Sequence, residues 1–248
     1  MLLRLMKRSP WCTVYHENNQ RAMREHSRIQ DRDSILALIE AESRTFPVFK
    51  PLNDAQYGLD QLNLHPRARG IWMYRDCADV VNSSVAKWGD FHQRAYRIVA
   101  EGPGDTTADD YDSTIAAVLL EGMSDDTLGQ VRHLVETGLT AHEAGAVHWY
   151  CRNRLYFDLG LHRDPRVELV RYEDLVREPD VYLRRVFDFV GCEYRPEFAE
   201  SFFGSSIRKQ EAAPMSASVT ALCDTMTRAL DSEYLRRIGH DSTPKETE

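Results

Sequence analysis

The sequence predicts an α/β protein: a short parallel sheet with helices on both faces, three layers in all. Two observations carry that prediction. Short apolar runs at 46–52 (FPVFKPL), Gly70–Tyr74 and Val167–Val170 alternate with longer stretches of helical period, the pattern of parallel strands joined by crossover helices. At 248 residues and 42% hydrophobic content, the chain is long enough to bury a full α/β core.

Taken in order, Met1–Met6 reads as the tail of an amphipathic helix rather than the start of a domain. Trp11–Tyr15 alternates loosely, and the polar stretch Glu17–Arg28 reads as loop or surface helix. Ile35, Leu36, Leu38 and Ile39 mark a short helix within Ile29–Glu42. After the 46–52 strand, Asn53-Asp54 reads as the cap of a helix running to about Leu64, ended by His65-Pro66. Gly70–Tyr74 is an apolar run suited to a strand buried on both faces. Arg75 and Asp76 fall where it ends. From Ala78 the period changes, with Val80, Val81, Val85 and Trp88 at helical spacing and Asp79 in the first turn, where acid suits the helix dipole.

Phe91–Ala100 opens another helix, and Glu101–Thr107 (EGPGDTT) is the strongest loop signal in the chain. Leu128–Leu139 and Ala141–Leu159 read as helices; Trp149, Tyr150, Tyr156 and Phe157 in the second are most simply core. Val167–Val170 is a strand, Asp180–Val190 a helix, and two or three helical segments follow, the last Tyr234–Ile238. Residues 1–240 are expected to form one domain, with 109–162 a helical portion and 241–248 a disordered tail.

Composition narrows the function. A net charge of −8 argues against nucleic acid or an anionic membrane as partner. The five cysteines are odd in number and contain no CxxC, which favours free thiols in a reducing compartment. The apolar N-terminal stretch is broken by Arg4, Lys7 and Arg8, and no long apolar run occurs, so a cytoplasmic protein is expected. Oligomeric state leaves no trace in the sequence.

The strand–turn–helix at 70–89 suggests chemistry. Ligands of open α/β sheets bind beyond the carboxyl ends of the strands. There Arg75 presents a planar fork of donors suited to a phosphate, and Ser83, just over two helical turns on, can face the same anion. The competing reading pairs Arg75 with Asp76, Asp79 or Glu173 and leaves Ser83 a surface residue. Other features carry less. HEAGAVH spaces His142 and His148 at i, i+6, whereas a zinc helix needs i, i+4. Asp109, Asp110 and Asp112 read as a solvated loop, and no serine stands in a GxSxG setting.

Arg75-Asp76, Asp79-Val80-Val81 and Ser83 resemble the RDPxDvvxS segment of the sulfotransferase family, which grips the 3′-phosphate of 3′-phosphoadenosine 5′-phosphosulfate (PAPS). Cys77 stands where that family usually has Pro or an aromatic residue. VELVRYEDLVREPDVYLRRVFDFVG, 167–191, resembles the family's strand–YEDL–helix segment. The resemblance implies a P-loop-NTPase-like sulfotransferase fold, with PAPS as co-substrate, no metal, and a small acceptor whose hydroxyl or amine takes the sulfuryl group. It implies that Lys50 contacts the transferred group or serves as base, with His65 a further base candidate. It places Tyr172 against the adenine, and Arg208 and Lys209 where a late basic loop reaches the 3′-phosphate. No glycine precedes Gly58 and no GxxxxGK[ST] occurs, so the family's first strand and 5′-phosphosulfate loop are missing from this sequence. Two expectations follow: a reading frame that begins upstream, or an inactive product. A non-catalytic 3′-phosphoadenosine-binding protein and a kinase-like phosphotransferase remain the alternatives.

Overall fold

The computed structural model describes residues 2–42, 45–101, 115–116, 118–201, 211 and 213–240. The chain divides into two compact units: Met1–Ile71 with Pro165–Glu168 and Asp174–Ser205, and Trp72–Asp164 with Leu169–Glu173 and Ser206–Glu248.

In the first unit, α1 (Leu2–Met6) buries Leu2, Leu5 and Met6. β1 (Cys12–Tyr15) pairs in parallel with β4 (Phe46–Phe49), Cys12 opposite Phe46 and Tyr15 opposite Phe49. Between them α2 (Arg32–Ala41) starts at Asp31, whose side chain accepts from Ser34 N; a carboxylate there satisfies one of the orphan donors of the first turn. The core gathers Tyr15, Ala22, Met23, Ile35 and Leu38, with Phe49 and Leu64 packed against it.

Two expectations are corrected in this unit. The stretch Glu17–Arg28 is neither plain loop nor helix: β2 (Met23–Arg24) turns back into β3 (Arg28–Ile29) as an antiparallel pair. His26 and Ser27 at the turn hold φ of 57° and 55°, a left-handed region unusual for residues with a Cβ. Tertiary hydrogen bonds hold them there, from Asn53 Nδ2 to His26 O (2.8 Å) and from Leu52 N to Ser27 O (3.0 Å). Asp54, the expected helix cap, makes no capping bond. It is 1% exposed and accepts instead from Arg28 Nε and from the Ile29 amide. A buried carboxylate is tolerable only with such charge-matched partners. A 3-10 turn, Ala55–Tyr57, leads into the short α3 (Gly58–Leu62).

The second unit is helical. α4 (Cys77–Trp88), α5 (Phe91–Glu101), α6 (Asp125–Glu136) and α10 (Ala217–His240) each pack on α7 (Ala141–Asp158). α7 is buried along most of its length, including Ala144, Gly145, Ala146 and Val147. These small side chains let a neighbour come close: a Cβ on Gly145 would stand 3.5 Å from Val81 Cγ1 of α4. That contact turns Cys77, Val81 and Ser84 inward. Trp88, expected on the apolar face, is 51% exposed, with the Lys87 ammonium 4.7 Å over its ring. At the C-terminal end, a single 24-residue helix, α10, stands where shorter segments were expected.

β5 (Gly70–Tyr74) pairs with β6 (Val167–Arg171). β6 passes directly into α8 (Tyr172–Arg177), and α9 (Pro179–Val190) follows with Pro at its first turn and Gly191 at φ 75° ending it. Among the described residues the strands pair in twos. The expected loop 102–107, the acids 109, 110 and 112, and the tail 241–248 lie outside the described residues.

Candidate functional site

The turn after β5 is built by residues that each satisfy a backbone group. Asp76 caps α4, its side chain accepting from Asp79 N at 3.0 Å. The Asp76 amide donates to Glu173 Oε1 at 2.9 Å, and the Arg75 carbonyl accepts from Trp149 Nε1 at 3.0 Å. The turn is therefore held from α4 itself, from α8 and from α7.

The Arg75 guanidinium is held as firmly. Its Nη2 lies 3.0 Å from Asp79 Oδ2, one helical turn on, with the Asp79 side chain 5% exposed. Its Cζ sits 4.8 Å from the centre of the Tyr172 ring, close enough for a cation–π attraction. Of the partners weighed for Arg75, Asp79 takes the ion pair, while Glu173 holds the neighbouring amide. The Arg75 side chain keeps 23% of its surface exposed.

Arg171 joins this arrangement to α10, standing 3.9 Å from both Glu173 and Asp231. The Tyr74 hydroxyl donates to Asp231 at 2.8 Å; burial, with Asp231 adding to it, pushes that hydroxyl's pKa up and keeps it a donor. Glu173, Trp149 and Asp231 were not among the predicted site residues. Glu173 was legible as a possible support for Arg75. Nothing in the sequence marks Trp149 or Asp231, which lie 74 residues or more from the turn they support.

Ser83 lies on the exposed side of α4, while its neighbour Ser84 faces inward, with its Oγ 3.2 Å from His92 Nδ1. Lys50 and His65 belong to the first unit. Lys50 follows β4, its amide donating to Tyr15 O at 3.0 Å. Its ammonium is 3.4 Å from Glu17 Oε2 and 43% exposed. The neighbour is a carboxylate and not a cation. Glu17 is held below the usual carboxylate range, chiefly by its own backbone hydrogen bond, against burial and with Lys50 assisting. His65 Nδ1 accepts from Arg67 N at 3.1 Å, stitching the turn after α3. Arg208 and Lys209 lie outside the described residues.

The HEAGAVH stretch resolves into structure. Glu143 closes a capping box with Thr140 at the start of α7 and also accepts from Ser216 N at 2.9 Å. His148 stacks on His92, ring centres 4.2 Å apart. Among the described residues no group of His, Cys, Asp or Glu is arranged to hold a metal ion, and no helix is long and apolar enough to cross a membrane.

Fold and turn define an α/β protein that presents a rigidly held guanidinium just past a strand end. The family model for the sulfotransferase domain matches residues 6–237, and the chain belongs to that family. The solved sulfotransferase domain from the curacin biosynthetic pathway is similar at 16% identity, covering 79% of this chain and 67% of its own, with a TM-score of 0.49. No curated protein matches the chain.

Proposed function

We propose that this protein transfers a sulfuryl group from PAPS to a hydroxyl or amine of a small acceptor. The observation that carries the reading is Arg75, fixed between Asp79 and the Tyr172 ring in the segment that resembles the family's 3′-phosphate grip. A guanidinium already oriented loses little freedom when it binds a dianion, and its planar fork matches two phosphate oxygens. The residues fit that end of the co-substrate: Arg75 holds the 3′-phosphate, Ser83 adds a hydroxyl from the open side of α4, and Arg208 and Lys209 supply further cations. Tyr172 meets the adenine beside Arg75, which lies over one face of its ring.

PAPS supplies an activated sulfuryl group for in-line displacement. The chain's own residues bind it, orient it and receive charge. Lys50 acts as the cation that stabilises charge on the transferred group, and His65 is the remaining base candidate. Five free cysteines suit a reducing, cytoplasmic setting.

The test is calorimetric titration of the full chain with 3′-phosphoadenosine 5′-phosphate, beside ADP and beside Arg75→Ala and Arg75→Lys. Binding that is selective over ADP, weakened about 10- to 100-fold in Arg75→Ala and only partly restored by Lys, is the expected result. A folded chain that binds neither nucleotide sinks the assignment. Binding with no sulfuryl transfer to any hydroxyl or amine acceptor favours the non-catalytic alternative.

A further inference from the structure

Cys12 opens β1, and Cys192 follows Gly191 at the end of α9. They are 180 positions apart in the chain, yet their sulfurs lie 3.7 Å apart. Both belong to the first unit, and both are buried, 9% and 6% exposed. Buried cysteines commonly serve as small apolar residues and stay inert. In this pair one sulfur touches the other across 180 positions of chain.

The chemistry of the contact favours reaction. The hydrogen bond between the Cys192 and Cys12 sulfurs, against the opposing effect of burial and with Ser9 assisting, brings the Cys12 pKa down to about 7. A lowered pKa favours the thiolate, and the thiolate is the nucleophile. Bond formation at about 2.05 Å asks the sulfurs to close by less than ~2 Å. Cys192 lies in irregular chain between α9 and the Pro196–Ser201 turn.

We propose that Cys12 and Cys192 are a covalent-modification site, forming a reversible disulfide under a peroxide oxidant. The Cys12 thiolate attacks the peroxide O–O bond, and the departing hydroxide leaves as water after taking a proton; Cys12 becomes a sulfenic acid. The Cys192 sulfur, giving up its proton, then attacks the Cys12 sulfur and breaks the S–O bond, releasing a second water. Two thiols and one peroxide become one disulfide and two waters. A dithiol reductant reverses it. The product ties the first strand to the segment after α9.

The other cysteines supply internal controls. Burial raises Cys151 to about 12. Cys77, in the second unit, is also raised, first by its hydrogen bond with Cys223 and then by burial, as Cys192 is by its hydrogen bond with Cys12 and by burial.

The full chain is treated with stoichiometric hydrogen peroxide, weighed intact, then alkylated and mapped without reduction. Expected are loss of two of the five thiols, a mass lower by about 2 Da, and a linked peptide pair carrying Cys12 and Cys192. Dithiothreitol restores both thiols. Cys12→Ser and Cys192→Ser each prevent the linkage, and Cys77→Ser leaves it intact. The proposal is overturned by a folded protein that keeps all five thiols, by Cys12 oxidised further with Cys192 still alkylated, or by a linkage between Cys77 and Cys223. If either serine variant fails to fold, the peptide map of the unmodified chain decides alone.

Discussion

Arg75 makes an ion pair inside its own turn and stands just past the end of a strand. Asp79 and Tyr172 fix the plane of the guanidinium without covering it, and Glu173 and Trp149 fix the backbone that carries it. Removing the ring therefore loosens the cation and leaves its charge in place. Tyr172→Ala is expected to weaken 3′-phosphoadenosine 5′-phosphate binding by about 3- to 20-fold, the worth of a partly desolvated cation–π contact. Calorimetry with circular dichroism on the same samples checks it. An unchanged affinity in a folded variant would show that Tyr172 neither orients Arg75 nor meets the base.

At the scale of elements, α7 organises the second unit, and its amino end rests on Glu143. Burial alone would raise that carboxyl, but hydrogen bonds from Thr140 and Ser216 outweigh it and bring the pKa down from 4.5 to about 2. A carboxyl depressed in the folded state contributes stability that is complete above about pH 4.5 and is lost as pH falls towards about 2. Glu143→Gln should cost about 1–2 kcal/mol at pH 7, with the gap to the parent closing near pH 2; urea unfolding at both pH values measures it. A gap that stays constant with pH would remove the carboxylate from the argument.

The stacked His92–His148 pair works in the same direction. Burial holds His92 down at about 4, against an ordinary 6.5. His148 is driven well below its ordinary value, first by burial and then by His92 and Arg152. Both must stay neutral in the fold, so the unfolded chain gains protons first, and stability falls as pH drops from about 6.5 through about 4. His92→Phe, which keeps a ring against His148, should flatten that decline in a series of thermal melts between pH 7 and 4. A decline as steep as the parent's would assign it to other groups.

For the whole molecule, charge and chemistry pull apart. The chain carries a net −8 and yet is proposed to hold a highly anionic co-substrate, which requires local cations such as Arg75 working against the general field. Such a protein should pass through a heparin column at physiological salt without retention. Retention would mean a continuous basic surface, at odds with a single-molecule anion site.

Legibility followed the range of the interactions. The strand Gly70–Tyr74, its turn at Arg75-Asp76 and the helix after it were readable because period, capping residue and dipole charge all act within a few positions. The same holds for β6, the capping-box helix α7 and α9 with its terminal glycine. The hairpin turn within Glu17–Arg28 was missed because the left-handed His26 and Ser27 are held by Asn53 and Leu52, partners about 25 positions away. Trp88 was placed inward because period shows that a helix has an apolar face, whereas packing chooses which one; Gly145 and Val81 decided it.

By itself, then, the sequence determined the α/β class, the strand–turn–helix around Arg75 and the family its motifs resemble, since these rest on local backbone preference and residue chemistry. Only the tertiary structure decided that Asp79 and Tyr172 share Arg75, that Trp149 and Glu173 hold its turn, and that Cys12 meets Cys192. Those contacts join residues that chain order keeps far apart, and burial brings them together only when the fold closes.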